Sequence, residues 1–286
     1  EIPMDDILTM QVWIPRYKYK VWNYNADGTK TSNEQQIEIT FENGTNTTGE
    51  IECQDAISGT KGDPSETCKL KSTNATCTDS TCNNKTYTHP AFTFGNEELK
   101  GFWIGKFELT GTIKNITTRP NLSSLRSQTI SSFETNIMSM KDSSNQYGFS
   151  TNTDTHMIKN SEWGAVAYLS HSKYGTCTNG NCKEIGINNN SNYITGCGAA
   201  AESSSSTTCN SYNTVTGILA STTENIYGIY DMSGGAYEYM MSNIVNTNGT
   251  TMLSSSSGYT TSTYPDAKYY DKYSYNTSIS SIISSK

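Results

Sequence analysis

Eight cysteines constrain this chain more than any other feature, because they fall into four close pairs: Cys53/Cys68, Cys77/Cys82, Cys177/Cys182 and Cys197/Cys209. Eight thiols allow roughly a hundred pairings in principle. Short loops cost the least closure entropy, so the local scheme is favoured. The rival reading is zinc, with the two Cys-x4-Cys pairs as half-sites. Their linkers, Thr-Asp-Ser-Thr and Thr-Asn-Gly-Asn, lack the two-residue spacing of a zinc knuckle, and no histidine lies close to the first pair. We therefore predict the disulfides Cys53–Cys68, Cys77–Cys82, Cys177–Cys182 and Cys197–Cys209. Each loop of about a dozen residues would contribute ~3 kcal/mol if unstrained. An oxidising compartment follows, so an extracellular or cell-surface location is expected.

Composition agrees with loops held by staples. Hydrophobic residues make up 34% of the 286 and charged ones 16%, with a mean hydropathy of -0.60. The remainder is rich in Ser, Thr, Asn and Gly, which are poor helix formers and favour short strands with long polar loops. Low charge sets the chain apart from disordered sequences. The 19 Tyr, 7 Phe and 4 Trp supply enough rings for a core. Net charge is -7 and no long basic run occurs, which argues against nucleic acid as a partner. No signal peptide or transmembrane run is present, and the sequence opens at Glu1-Ile-Pro-Met. It reads as a mature chain, with any membrane contact made through a leader or anchor lying outside it. Asn-x-Ser/Thr sequons, among them Asn43, Asn115 and Asn276, occur at about the frequency chance gives.

Along the chain, Met10 to Trp22 reads as a strand pair or one long strand, with Pro15 implying an edge or a bend. Asn25-Ala-Asp-Gly28 reads as a turn, Gln36 to Phe41 as an alternating strand, and residues 50 to 86 as a stapled insertion. Gly101 to Thr110 is a further strand candidate. It repeats the order aromatic, Ile, small or Pro, basic, aromatic found in Val12 to Tyr19, as two neighbouring strands with inward rings would. Helical spacing marks Leu125–Met140 and Asn160–Ser170, the second capped by Asn160 and burying Trp163, Val166, Ala167 and Leu169 or Ser170. His89 before Pro90 reads as a turn residue. Three regions result: 1–87, β-rich with a stapled insertion; 88–250, the main domain; and 251–286, a Ser/Thr/Tyr-rich segment.

Asn225 to Tyr239 packs three glycines, four tyrosines and two carboxylates into fifteen residues. Within it, Gly228-Ile-Tyr-Asp-Met-Ser-Gly-Gly-Ala-Tyr-Glu-Tyr239 resembles the late signature of the formylglycine-generating-enzyme (sulfatase-modifying-factor) domain, a C-type-lectin-like fold variant. Phe102-Trp-Ile-Gly-Lys-Phe-Glu-Leu-Thr110 is similar to its opening strand, and Met157-Ile-Lys-Asn-Ser-Glu-Trp-Gly-Ala-Val-Ala167 to its central helix. The three segments, in the family's order, cover roughly residues 88 to 245. The resemblance implies an irregular α+β, lectin-like domain of short twisted antiparallel strands, two helices and long disulfide-stapled loops. Together with Val12 to Arg16 and Trp163 to Gly175, it also extends to a group of bacterial secreted proteins. Some of those carry prepilin-like leaders, which implies a surface or filament setting.

The departures bear on activity. Gly235 stands where the signature has Asn, and Tyr237 and Tyr239 where it has Trp. The family's closing Gly-Phe-Arg strand has no counterpart after Met241. The oxidising members hold copper on two late cysteines, and none lies here beyond Cys209; the sulfoxide synthases use a histidine triad, whereas His89, His156 and His171 are scattered. By position, the resemblance implies calcium on Gly234, Ala236 and Glu238, with Asn188 from a second site, although a hydrogen-bonded structural Glu238 competes with that reading. The Asp231/Glu238 pair has no evident nucleophile beside it, and His171 with Asp231 lacks a nucleophile elbow. Loops rich in Tyr, Asn, Ser and Gly suit adaptable recognition, yet the lectin sugar motifs Glu-Pro-Asn and Gln-Pro-Asp are absent. The expected function is that of a non-catalytic bacterial surface protein: an adhesin, receptor-binding module or pilus-type filament subunit. Its partner would be a receptor, a glycan or identical subunits. A divergent enzyme of the resembled type and a purely structural filament subunit are the alternatives.

Overall fold

The computed structural model describes residues 2–20, 36–51, 86–245 and 255–274. In chain order its strands begin with β1 Gln11–Pro15, β2 Tyr17–Lys20, β3 Glu38–Phe41, β4 Glu50–Ile51 and β5 Thr86–Thr88. Next come β6 Thr93–Phe94, β7 Glu97–Glu98, β8 Gly101–Gly105, β9 Thr110–Thr112 and β10 Asn115–Thr117. The last are β11 Cys177–Thr178, β12 Asn181–Cys182, β13 Ser242–Val245 and β14 Asp271–Ser274. Helices α1 (Ile130–Met138) and α2 (Asn160–Ser170) lie between β10 and β11. One four-stranded sheet, ordered β3-β2-β5-β4, is accompanied by two-stranded pairs, most of them antiparallel. The architecture is irregular α+β.

The described part of the Met10–Trp22 run, residues 10–20, forms two strands that meet at Arg16. Arg16 is fully buried, and its guanidinium donates to Glu42 at 2.8 Å, to Thr47 at 2.8 Å and to the carbonyls of Phe92 and Leu99. Glu98 completes the cage at 2.7 Å. A charge buried so deeply persists only when such partners surround it. Burial works against ionisation of Glu42, but hydrogen bonds from Thr48 and Thr88 and the charge of Arg16 hold its pKa below the usual value.

Three packed clusters follow, the third made of Phe107, Ala220 and Tyr230. The first joins Ile14, Tyr17, Tyr19 and Ile39 to Phe92, Val166 and Ile229. It therefore crosses the 87/88 boundary drawn on the sequence, as does the β1–β8 pair. Tyr17 donates its hydroxyl to the Ala165 carbonyl at 2.7 Å, tying the sheet to α2. His89 is buried at this junction, accepts the Ala91 N–H on Nδ1, and is kept neutral by burial, with a pKa near 3. The second cluster gathers Ile116, Phe133, Ile137, Met140, Met157 and Met241.

α2 runs over the predicted residues, but its cap differs. Lys159 precedes the first turn, and its N–H donates to Glu162 Oε2 at 2.8 Å, while Asn160 donates to the Tyr273 hydroxyl. α2 buries Glu162, Ala165, Val166 and Ser170. α1 begins at Ile130, five residues later than the spacing implied. Thr129 caps it by accepting the Ser132 N–H, and Ser127 takes a left-handed conformation that a helix cannot include. β1 and β8 are neighbours, antiparallel, with Trp13 opposite Trp103. The expectation of inward rings is corrected for these two: both face outward, and Ile14 turns inward. Disulfides link Cys177 to Cys182 and Cys197 to Cys209. Cys53, Cys68, Cys77 and Cys82, and the Asn25–Gly28 turn, lie outside the described residues. Among those residues no helix is long and apolar enough to cross a membrane.

Candidate functional site

The glycine- and tyrosine-rich segment has little regular structure of its own and is held by contacts with distant residues. Asp231 sits in the left-handed region at φ 64, fully buried. Its carboxylate accepts the Gly196 N–H on both oxygens at 3.0 Å and the Asn188 amide at 2.8 Å, and the Glu108 N–H lies at 3.5 Å. Asn188 in turn exchanges backbone bonds with this segment, donating to Ser233 O and accepting from Gly235, each at 2.8 Å. Gly234 must be glycine: φ is +79, and a Cβ would stand 2.3 Å from the Asn188 carbonyl oxygen. Tyr230 stacks on Phe107 at 5.2 Å and brings its hydroxyl to 2.8 Å from the Tyr212 carbonyl.

Glu108, which the sequence placed only in a strand motif, reaches into the same turn. It accepts the Ala236 N–H on Oε1 at 2.9 Å and the Ser124 hydroxyl on Oε2. A Cβ on Gly235 would stand 2.6 Å from Oε1, which is a physical reason for glycine where the resembled signature has Asn. Glu238 accepts the Trp163 indole N–H at 2.9 Å. Burial raises the pKa of Glu108 to about 8, assisted by the nearby Asp231 charge, that of Glu238 to about 7 and that of Asp231 to about 6. Glu238 is an exposed residue, so water screens part of its shift, and Glu108 is the better-shielded acid.

Glu108 and Glu238 border a cleft of about 1420 Å³, lined also by Trp13, Trp103, Trp163 and Tyr237 and by His156 and Glu162. Its aromatic lining includes exposed rings: Trp13 is 40% accessible, Trp103 62%, Tyr237 100% and Tyr239 53%. The two tyrosines that replace the signature's Trp therefore stand at the surface, and only Tyr230 of the segment is a buried ring. The indoles of Trp13 and Trp103 lie 5.2 Å apart, tilted by 58°. Gly101 lets Trp13 lie close over the backbone, since a Cβ there would meet the ring at 2.5 Å.

Of the residues implied for calcium, Gly234, Ala236 and Glu238 lie within five positions of one another, and Glu238 accepts the Trp163 indole N–H; carbonyl and carboxylate oxygens are the ligand type that ion takes. Asn188 is next to them, but its side chain is committed to protein partners: the amide donates to Ile194 O and Asp231, and Oδ1 accepts the Asn190 N–H. Asp231 likewise has both oxygens occupied by donors, and His171 lies elsewhere, at the end of α2. Sequence reasoning missed Glu108 and the outward indole pair. The Lys-Phe-Glu stretch after β8 was the available signal for the first, and the facing repeat of Trp13 and Trp103 for the second. No protein-family model and no curated protein matches this chain.

Proposed function

We propose that this chain is a non-catalytic, extracellular bacterial surface protein that recognises its ligand through the aromatic-lined cleft, on a lectin-like scaffold of the formylglycine-generating-enzyme type. The observation that carries this reading is the exposed Trp13–Trp103 pair at the cleft. Large apolar rings held outward at a concave surface are the signature of a binding site rather than of a solvated face. A glycan is the ligand that suits them best: the C–H face of a pyranose covers an indole, and its hydroxyls pair with carboxylates at the cleft wall. The cleft exceeds the roughly 300–1,000 Å³ of small-molecule sites, so several sugar units fit. The described cysteines are paired in disulfides, which supports the non-catalytic reading over a thiol-copper oxidase.

Covering about 100 Å² of the Trp103 ring would contribute ~2.5 kcal/mol, on the order of 50-fold in affinity. A glycan array probed with the full chain and with Trp103→Ala tests this. Binding of a defined glycan family that the variant loses supports the reading; an array blank for both proteins, beside filaments in electron micrographs, replaces it with self-assembly. Calcium on Glu238 and the Gly234 and Ala236 carbonyls belongs to the same proposal. An unchanged melting temperature in excess chelator would remove it.

A further inference from the structure

The end of α2 carries a second site, unconnected with the cleft. His171 follows the helix, its N–H still bonded to the Ala167 carbonyl at 3.2 Å. The chain then doubles back: Thr176 N–H donates to Ser170 O at 2.7 Å and Cys177 N–H to Ser172 O at 3.2 Å. Gly175 makes this return possible, because a Cβ there would stand 1.9 Å from the Ser170 carbonyl oxygen. The β11–β12 hairpin turns through Asn179 and Gly180, both at positive φ, and sets Cys177 opposite Cys182. Thr176 closes its base by donating its hydroxyl to Lys183 O at 2.6 Å. As a result one His171 ring nitrogen and both cysteine sulfurs lie within 4.8 Å of one another.

We propose that in the dithiol form His171, Cys177 and Cys182 bind a thiophilic divalent cation, zinc above all. Zinc sits about 2.3 Å from thiolate sulfur and about 2.0 Å from imidazole nitrogen, and two thiolates on one tetrahedral ion lie roughly 3.8 Å apart. The three donors therefore need only side-chain adjustment. Two thiolates neutralise the ion, and a water completes the tetrahedron. On binding, each thiol passes its proton to solvent. When a small-molecule disulfide oxidises the pair, the Cys177–Cys182 bond forms, the reagent's S–S bond breaks to give two thiolates that take protons from solvent, and zinc leaves. A dithiol reductant reverses the exchange. Every newly made chain passes through the thiol form, so the site holds the hairpin closed before its disulfide does.

Native mass spectrometry of the full chain, reduced with a phosphine and given zinc, tests the proposal, with affinity measured against a chromophoric chelator. The reduced chain is expected to hold one zinc that the oxidised chain does not. Cys177→Ser/Cys182→Ser should lose that ion, and His171→Ala should weaken it about tenfold or more. Cys197→Ser/Cys209→Ser should keep it, which separates ligand loss from general misfolding. Zinc held equally by the Cys177/Cys182 double variant, or equally by the disulfide form, would overturn the assignment.

Discussion

Glu162 and Glu108 are the same residue in two opposite settings. Glu162 stands in the first turn of α2 beside His156, which approaches both its oxygens at 3.1 and 3.3 Å, and it accepts the Lys159 N–H. Burial opposes its charge, but the imidazole and that N–H win, and its pKa falls to about 2. Glu108 is shielded too, yet its neighbours are Asp231 and Glu238, and its pKa rises to about 8. The first acid is balanced inside the protein. The second is balanced by neutral donors alone, in a turn that opens on the cleft. Both acids line the same cleft; Glu162 is committed to its imidazole, whereas Glu108 is held by neutral donors with a strongly perturbed pKa, which marks the glycine-rich turn as the candidate site.

The largest expected effect comes from breaking the balanced side. Glu162→Ala leaves His156 buried without its counter-charge and removes the helix-start acceptor, so chemical denaturation should show a loss of ~3–5 kcal/mol. Glu108→Gln should act in the opposite sense, because the amide oxygen still accepts from Ala236 and no charge remains. At pH 8 the variant should be more stable than the parent by about 2 kcal/mol, after allowance for water screening. The parent's own pH profile checks the sign. Glu108, Glu238 and Asp231 have folded pKa values of about 8, 7 and 6, above their unfolded ones, so the folded state binds more protons between. Their stability is complete only below their unfolded pKa values, about pH 4, and is lost as pH rises through 6 to 8. His156, raised chiefly by Glu162 against the effect of burial, acts in the same direction. Glu162, lowered, loses its contribution only as pH falls towards 2. His89, held near 3 by burial, opposes them below about pH 6.5, but one imidazole is outweighed by three raised acids, so the melting temperature should be higher at pH 5 than at pH 8, and Glu108→Gln should flatten that slope.

Smaller effects sharpen the contrast. Gly235→Ala places a Cβ against Glu108 at a φ of +70 and should cost about 1–2 kcal/mol in thermal unfolding. Trp103→Ala removes an exposed ring that touches Trp13 and should cost no more than about 1 kcal/mol. Its consequence should appear in ligand binding.

Local features were legible in the sequence, and long-range ones were not. α2 follows its predicted span because Glu162 bonds back to the Lys159 N–H three residues earlier, a signal contained in the sequence. The aromatic repeat correctly placed β1 beside β8, since facing strands share a period of two. That period says that Trp13 and Trp103 share a face, not which face is buried, and so the rings were assigned inward. α1 is shorter than its apolar spacing implies, because that spacing continues through Leu125 while the backbone turns at Ser127. Glu108 was passed over because its partner Ala236 lies 128 positions away, and nothing near Glu108 announces that meeting.

The account turns on the indole pair at the cleft. Titration calorimetry of the full chain and of Trp103→Ala, both with the glycan that gives the strongest array signal, tests it most directly. The expected result is an affinity lower by on the order of 50-fold in a variant that melts within a few degrees of the parent. Equal affinities in two equally folded proteins would contradict it.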